Sequence, residues 1–231
     1  MKVSTLDFQL PGHLIPRVPR AVRGGGKLMV LRGKETEHRA FYELSAILRH
    51  AFPDGYVTYL NDSKVAGLPI DRQCVYAMED GSEQAPTAGW DLTEQMIGYI
   101  NPRYLTLHVK DGSFKKIDGD VPESSALERY AIQKTPRPSE NVVAVGTTVV
   151  KAIESWADTG MAYGDSELAV IPGHEFLSVD AILTCFQEPR SLPMAMIAAF
   201  VGVDRLLSAY EEAMREGYLW QQFGDRMLVT R

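Results

Sequence analysis

Asn141-Val142-Val143-Ala144-Val145-Gly146-Thr147-Thr148 is the stretch that decides the fold, because a buried-type strand runs straight into a glycine turn and the start of a helix. The helix is predicted over residues 149–157. A glycine and two hydroxyls at a helix N-terminus suit a carboxylate or a phosphate, although a plain threonine N-cap explains the same residues equally well. The succession of strand, tight turn and helix predicts an α/β domain with ligand contacts at the strand ends.

The same succession recurs on both sides of this stretch. Residues 1–26 are rich in proline and glycine and predict an extended arm. Apolar periodicity predicts strands over residues 27–32, 57–60, 104–109, 168–171, 179–184 and 227–230. It predicts helices over residues 38–50, 91–100, 126–131 and 194–215, the last with a break near Gly202.

Composition narrows the class of protein. The 231 residues, of which 45% are hydrophobic, suffice for one domain, or one domain with a small appendage. No apolar run approaches the length of a membrane span and no signal layout is present, so we expect a cytoplasmic protein without a membrane partner. Cys74 and Cys185 stand far apart in sequence and are expected to be buried thiols, with neither a disulfide nor a zinc site.

Charge gives two opposing indications about nucleic acid. The net charge of −6 argues against general affinity for phosphates. The stretch from Arg17 to Lys34 nevertheless carries six basic residues and no acid, and could meet phosphates or a carboxylate. A solvated basic loop explains that stretch at least as well.

The segment Ala85-Pro86-Thr87-Ala88-Gly89-Trp90 is a second candidate ligand loop. Its glycine lets the chain turn without a side-chain penalty, and Thr87 offers a hydroxyl and an N–H at a helix start. An ordinary turn between a strand and a helix is the alternative reading of the same residues.

Three polar positions elsewhere suggest chemistry without settling it. His108 ends a strand beside a glycine turn and could act as an acid, a base or a donor, or be a satisfied structural histidine. Asp180 lies in an apolar strand, where a carboxylate must be paired or contact a substrate. Asp225, in the turn Phe223-Gly224-Asp225, could add a carboxylate to a pocket rim. The sequence contains no dinucleotide fingerprint, phosphate loop, zinc-protease motif or nucleophile elbow.

Several short blocks follow one another in an order that is far more specific than any one of them. They are Asp7-Phe8, Leu10-Pro11, Leu14-Ile15, Arg23, Asn61 to Val65, Ala85 to Gly89, Leu105 to Val109, Ala144 to Thr148, Ile171 to Gly173, Asp180-Ala181 and Phe223 to Asp225. In this order they closely resemble the S-adenosylmethionine:tRNA ribosyltransferase-isomerase family of queuosine biosynthesis.

The resemblance implies an unusual use of S-adenosylmethionine (AdoMet) as a co-substrate. The ribosyl group is transferred and rearranged on the 7-aminomethyl-7-deazaguanine of tRNA, with release of adenine and methionine and without a metal or a second cofactor. We therefore expect an AdoMet cleft, charge contacts to the methionine carboxylate or an acceptor phosphate, and acid–base residues. The cleft residues are Thr87, Ala88, Gly89, Gly146, Thr147 and Thr148, the charge contacts are Arg23 and Lys64, and the acid–base candidates are His108, Asp180, Glu128 and Asp225.

Three departures from the family pattern bear on the acceptor. Family members carry a β-rich domain after the turn at Asn61 to Val65, whereas here residues 66–84 form a short replacement, so a single domain over residues 1–231 is expected. Ser124 and Leu127 stand where the family has histidines, and Gln187 stands in the place of a third. Histidines are common proton-transfer groups near neutral pH.

Three hypotheses follow. The first is a minimal tRNA enzyme that recognises the anticodon arm through its basic N-terminal stretch. The second is a shortened relative that cleaves or rearranges AdoMet on a small-molecule acceptor, and the third is a non-catalytic AdoMet-binding protein.

Overall fold

The computed structural model describes residues 3–114, 116, 117, 119 and 124–231. The α-helices in this part of the chain are α1 (Leu44–Ala51), α2 (Glu94–Ile100), α3 (Thr147–Thr159), α4 (Leu192–Val201) and α5 (Val203–Arg215). The strands are β1 (Lys27–Arg32), β2 (Glu35–Ala40), β3 (Tyr56–Asn61), β4 (Ser63–Lys64), β5 (Glu79–Asp80), β6 (Arg103–Leu107), β7 (Glu128–Ile132), β8 (Asn141–Val145), β9 (Tyr163–Ser166), β10 (Val179–Cys185) and β11 (Arg226–Thr230).

One mixed sheet organises the molecule, with the strand order β2-β1-β11-β10-β8-β3-β6-β7-β9. Its centre is parallel, because β10 pairs with β8, β8 with β3 and β3 with β6 in the same direction. The chain leaves β3 for β6 on one side and later returns to β8 on the other. The strand order therefore reverses beside β3, and the crevice at the carboxyl ends of β3 and β8 is where open α/β sheets bind ligands.

Helices cover both faces of this sheet, so its central strands are buried on both sides. Strand β8 shows the arrangement: Val142 and Ala144 face the core beneath α3, α4 and α5, while Val143 and Val145 face the core beneath α1, α2 and the loop around Trp90. A strand buried on both faces reads as a continuous apolar run. The α/β fold class is thus confirmed.

Most elements predicted from periodicity are present. The strand at residues 141–145 matches β8, and the helix break near Gly202 separates α4 from α5. The prediction of a short helix over residues 126–131 is wrong, because those residues enter strand β7. Glu128 points inward there, and a buried acid interrupts the apolar alternation by which a strand is recognised.

Two further predictions at the sheet edges are wrong. The helix predicted over 38–50 begins only at Leu44, because residues up to Ala40 form the edge strand β2. Edge strands such as β2 are mostly exposed and polar, so their sequence carries no period of two. The strand predicted over 168–171 is absent from the described structure, and the outer strand β9 lies earlier, at Tyr163–Ser166.

Residues 66–84 form a short connection in the described structure. It contains a single 3₁₀ turn at Ile70–Arg72, and β5 pairs with β4 in a two-stranded sheet. The single-domain organisation over residues 1–231 stays a prediction. Among the described residues, no single helix is long and apolar enough to cross a membrane, while α4 and α5 reach that length only as a pair bent by 112°.

Substitution of Gly224 by alanine should destabilise the fold. A β-carbon there would lie 2.3 Å from the carbonyl oxygen of Leu219 and 2.5 Å from that of Trp220, and backbone cannot move aside cheaply. We expect a loss of about 3 kcal/mol in the free energy of unfolding, measured by chemical denaturation. The control is Gly98→Ala in α2, where a β-carbon meets nothing within 4 Å, and a gain of up to about 1 kcal/mol is expected. Equal effects of the two substitutions would contradict the packing at Gly224.

Glu140 should make the fold acid-sensitive. The Arg103 guanidinium, 2.5 Å away, lowers the pKa of this carboxyl from 4.5 to about 2. A lowered carboxyl pKa stabilises the fold above the unfolded-state value, and that stabilisation is lost as the pH falls from about 4.5 towards 2. Because the pair is partly exposed to solvent, its contribution is reduced. We expect the acid-induced decrease in the free energy of unfolding to be about 1 kcal/mol smaller in Glu140→Gln than in the wild type. Denaturation from pH 6 to 2 measures it, and Glu211→Gln on the exposed side of α5 should behave like the wild type.

Candidate active site

A cavity of about 430 Å³ lies at the carboxyl edge of the parallel strands, beside the point where the strand order reverses. Its walls come from the ends of β8 and β10, the starts of α3 and α4, and the loops around residues 83–88 and 221–222. The residues that line it are Val65, Leu68, Arg72, Glu83, Gln84, Ala85, Pro86, Thr87, Ala88, Phe114, Gly146, Thr147, Thr148, Thr184, Cys185, Gln187, Glu188, Ser191, Pro193, Gln221 and Gln222.

Two helices begin at this cavity. Gly146 precedes α3 with φ of 101°, a conformation that L side chains rarely adopt, and no side chain caps the helix there. A β-carbon on Gly146 would also lie 3.3 Å from the β-carbon of Ala88, so glycine keeps the loop and the helix close. Ser191 caps α4 by accepting a hydrogen bond from the Met194 N–H. Converging helix N-termini favour a negatively charged group between them.

Asn61 lies behind the cavity wall, in contact with the lining residue Thr148, and is buried. Its amide nitrogen donates to the Leu107 carbonyl at 3.0 Å and to the Thr148 hydroxyl at 3.2 Å. Its amide oxygen accepts from the N–H groups of Ser63 and Leu107. One side chain therefore connects the ends of β3 and β6 to the first turn of α3.

Arg226 fixes the candidate ligand loop from below. Its guanidinium is completely buried and donates from Nε to the Ala88 carbonyl at 2.8 Å and from Nη2 to the Thr87 carbonyl at 3.2 Å. The remaining donors go to the carbonyls of Gln222, Gly224 and Asp225. All five N–H donors of a guanidinium are thereby used. Thr87 and Ala88 present their other sides to the cavity because their carbonyls are held by Arg226.

A second, smaller cavity of about 40 Å³ adjoins the first. The two share the lining residues Phe114, Thr147, Thr148 and Pro193. Glu128 and Lys151 line the small cavity and form an ion pair, with Lys151 Nζ 2.8 Å from Glu128 Oε2. We call the small cavity the side chamber.

The ion pair in the side chamber is almost fully enclosed by protein. Lys151 Nζ also donates to the Ala126 carbonyl at 2.7 Å, and Glu128 Oε1 accepts from the Ser113 hydroxyl and the Lys110 N–H. Burial lowers the pKa of the Lys151 ammonium, an effect that Glu128 opposes. A buried ammonium and a buried carboxylate are tolerated because each satisfies the other.

The structure brings five of the predicted cleft residues together. Thr87, Ala88, Gly146, Thr147 and Thr148 all line the large cavity, although they come from two loops 60 residues apart in sequence. Gly89 is not among the lining residues. A β-carbon on Gly89 would overlap the Tyr76 hydroxyl, so this glycine allows close packing behind the loop.

The two predicted charge contacts are engaged elsewhere. Arg23 donates to the carbonyls of Trp90, Ile70, Asp71 and Gln73, and its guanidinium stacks 4.6 Å from the centre of the Trp90 ring. Lys64 forms an ion pair with Asp80 at 3.3 Å. Neither side chain lines the large cavity, and Arg23 instead fixes the connection at Ile70–Gln73 to the Trp90 loop.

Among the four predicted acid–base residues, only Glu128 lies beside the large cavity. Asp225 accepts from the N–H groups of Lys27 and Leu219 and from Arg20, which makes it an anchor for the turn before β11. Asp180 accepts from the Val142 N–H near the start of β10, whereas the cavity lies at the end of that strand. The structure does not bring Asp180 and Asp225 to the cavity.

His108 lines a different surface cavity, with Thr106, Arg129, Tyr130 and Tyr163 among its neighbours. Its ring packs against Gly81, where a β-carbon would lie 2.9 Å from Nδ1. Nδ1 is buried without a hydrogen-bond partner in the described part of the chain. The structure therefore separates His108 from the five cleft residues.

The basic N-terminal stretch is largely occupied by internal contacts. Arg20 donates to the Gly224 carbonyl and the Asp225 carboxylate, and Lys27 donates to the Glu216 carbonyl. With Arg23 already engaged, the exposed cations of this stretch include Arg17 and Lys34.

The positions of the missing family histidines differ in their relation to the cavity. Gln187 lines it, and its amide nitrogen donates to the Thr184 hydroxyl at 2.8 Å. Ser124 and Leu127 are exposed. Both cysteines are buried and free, as predicted. Within the described ranges, no group of three or more His, Cys, Asp or Glu side chains is placed to hold a metal ion.

Sequence reasoning missed Lys151 and Arg226 and gave Asn61 no role. Lys151 lies one helical turn beyond Thr147 and interrupts the apolar run Val149-Val150-Lys151-Ala152-Ile153, and a lysine inside an apolar run is a recognisable signal. Arg226 begins an apolar strand and carries the same signal. Their partners are main-chain carbonyls and a distant carboxylate, which no local pattern reveals.

Comparison with known proteins gives a consistent result. Residues 68–229 match the family model described as "Queuosine biosynthesis protein". The S-adenosylmethionine:tRNA ribosyltransferase-isomerase of Rubrobacter xylanophilus is 40% identical over 68% of this chain and 50% of its own length. The enzyme of the same name from Carboxydothermus hydrogenoformans is 33% identical over 98% of this chain and 75% of its own length.

A solved structure supports the fold. The crystal structure of S-adenosylmethionine tRNA ribosyltransferase from Thermotoga maritima superposes with a TM-score of 0.71 at 24% identity, covering 97% of this chain and 99% of that one. The matches to the relatives from Rubrobacter xylanophilus and Thermus thermophilus span about half of the length of those proteins.

Replacement of Arg226 by lysine should loosen the Thr87–Ala88 loop. A lysine offers three donors in place of five and cannot reach both sides of the turn, so several buried carbonyls lose their partners. We expect a loss of about 3 kcal/mol in the free energy of unfolding, together with faster amide hydrogen exchange in residues 85–90. The control Arg39→Lys, at an exposed pair with Glu37, should leave both the free energy of unfolding and the exchange in residues 85–90 close to those of the wild type. Unchanged exchange in Arg226→Lys would contradict the anchoring role.

Proposed function

The chain belongs to the queuosine biosynthesis protein family, and from this membership we propose that it transfers the ribosyl group of AdoMet to 7-aminomethyl-7-deazaguanine in tRNA, with release of adenine and methionine. The large cavity is the proposed AdoMet site. The observation that carries the proposal is the convergence of five residues of the family-like blocks on that cavity at the reversal point of the sheet.

The cavity suits the charged ends of AdoMet. The uncapped start of α3 would hold the methionine carboxylate, because its N–H groups and the helix dipole favour an anion there. Glu83 and Glu188 line the same cavity and would attract the positive sulfonium and amino groups. Its volume of about 430 Å³ lies within the range of small-molecule sites.

The chemistry proposed for AdoMet begins at its sulfonium. The positive charge acidifies the adjacent C5′ hydrogens, so that a positioned base can open the ribose and expel adenine. Glu128 is the proposed acid–base residue, since it is the one sequence-predicted carboxylate that lies beside the cavity among the described residues. Preorganised polar groups such as Gln187 and Thr184 would shield the intermediate from water.

A small-molecule acceptor is the second candidate, and one observation favours it. Arg20, Arg23 and Lys27, three of the six cations in the stretch expected to meet the anticodon arm, are tied to main-chain carbonyls and to Asp225. Fewer cations are thus left for phosphates in a chain of net charge −6. If the acceptor is tRNA, we propose that the reaction takes place in the cytoplasm. A small-molecule acceptor indicates no particular compartment.

Product analysis separates these proposals. We expect adenine and methionine, detected by chromatography, when the protein is incubated with AdoMet and tRNA that carries 7-aminomethyl-7-deazaguanine. Equal release without tRNA would favour the small-molecule acceptor. A protein that AdoMet stabilises thermally but does not convert under either condition would be a non-catalytic binder. Absence of any thermal stabilisation by AdoMet would contradict the proposed site.

Thr147→Val tests the AdoMet site within this scheme. The substitution removes a hydroxyl at the start of α3 and keeps the shape, so we expect the Kd for AdoMet to rise about tenfold, measured by calorimetry. Thr135→Val is the control, because Thr135 lies before the start of β8, whereas the cavity lies at the end of that strand. An unchanged Kd in Thr147→Val would remove the α3 start from the binding site.

A further inference from the structure

The side chamber contains charged groups that the AdoMet site itself does not explain. Lys151 and Glu128 are 4% and 2% exposed, and their contacts come from four segments: the 110–113 turn, Ala126, β7 and α3. The chamber shares the wall formed by Thr147, Thr148, Phe114 and Pro193 with the large cavity. The side chamber therefore adjoins the large cavity, and the ion pair lies in its lining.

Within the described residues, Lys151 and Glu128 do not use all of their hydrogen-bonding capacity on each other and on their protein partners. Two of the three Lys151 N–H donors are used, by Ala126 and Glu128, and within the described residues the third has no acceptor. Glu128 Oε2 accepts one hydrogen bond, from Lys151, while Oε1 accepts two. A chamber of about 40 Å³ has room for one water molecule or one hydroxyl or amino group.

Resting on the proposed function, we infer that Lys151 is a positioning residue for the proton transfer assigned to Glu128. Lys151 holds Glu128 Oε2 at the chamber wall, where a single polar group of the substrate, or one water, can exchange a proton with the carboxylate. The proton passes between that group and Glu128 and is returned in a later step, so no oxidant or further reactant is needed. Lys151 itself keeps its proton and touches no reacting atom.

The alternative is that the ion pair has a purely structural role, and the contacts of Glu128 support this alternative. Glu128 also ties the turn at Lys110 and Ser113 to β7, and this turn leads to Phe114 on the cavity wall. The charged groups that face the pair include Glu167, which acts on Lys151 through space. Loss of Lys151 would leave the Glu128 carboxylate buried and unpaired and would destabilise the protein for that reason alone.

A set of three variants separates positioning from structure. Lys151→Met removes the charge at similar volume, Lys151→Arg keeps it, and the double variant Lys151→Met with Glu128→Gln removes both charges and restores neutrality. Melting temperature, Kd for AdoMet, and the rate of adenine release from pH 5 to 9 are measured for each. Lys134→Met, at an exposed lysine, is the matched control.

Positioning predicts that stability and turnover respond differently. Lys151→Met should lower the melting temperature and reduce adenine release at least about 100-fold, with a change in the Kd for AdoMet below about threefold. The acid limb of its pH–rate profile should lie at higher pH than in the wild type, because the positive charge beside the Glu128 carboxylate is lost. Lys151→Arg should stay within about tenfold of the wild type, and the double variant should recover the melting temperature without the rate.

Three results would overturn the inference. Recovery of both melting temperature and adenine release in the double variant would mean that the pair only holds the fold together. A Lys151→Met protein with the wild-type rate would exclude any role in the reaction. A wild-type protein that releases no adenine from AdoMet, with or without tRNA that carries 7-aminomethyl-7-deazaguanine, would refute the proposed function, and this inference with it.

Discussion

The rest of the site depends on one interaction, the hydrogen bonds from the buried guanidinium of Arg226 to main-chain carbonyls. It is a cation without exposure, and within the described residues no carboxylate lies within ion-pair distance of it, so its charge is balanced by five carbonyl dipoles. Those carbonyls belong to the Thr87–Ala88 loop and to the Gln222–Asp225 turn. Two segments that would otherwise be loose are therefore fixed to the start of β11, and both form part of the cavity wall.

The cavity that results follows from sheet topology as much as from side chains. Reversal of strand order beside β3 opens a crevice, and Asn61 joins the ends of β3 and β6 to Thr148 in the cavity wall. Gly146 lets the loop at Ala88 pack closely against the start of α3, since a β-carbon there would lie 3.3 Å from the β-carbon of Ala88. Helix dipoles and N–H groups then supply the positive potential that a carboxylate requires, without a lysine or arginine at the start of α3.

The division of charged residues between support and chemistry could not be predicted from sequence. Arg23, Lys64 and Asp225 are the types of residue that bind substrates, yet each is satisfied by a main-chain group or a neighbouring side chain. Glu128 is also paired, with Lys151, but it differs because it lines the side chamber beside the large cavity. A charged side chain looks the same in sequence whether its partner is a ligand or a carbonyl 100 residues away, and only the fold distinguishes the two.

The sequence by itself determined the α/β class, the central strands β3, β8, β10 and β11, the break between α4 and α5, the family, and the two loops that carry Thr87, Ala88, Gly146, Thr147 and Thr148. These features are local, since they rest on apolar period, glycine and residue order. Tertiary structure alone decided that the two loops face each other, that the cavity lies at the end of β10 away from Asp180, and that Arg226 and Lys151 are buried. Those outcomes depend on strand order and on contacts between distant segments, which no short stretch of sequence encodes.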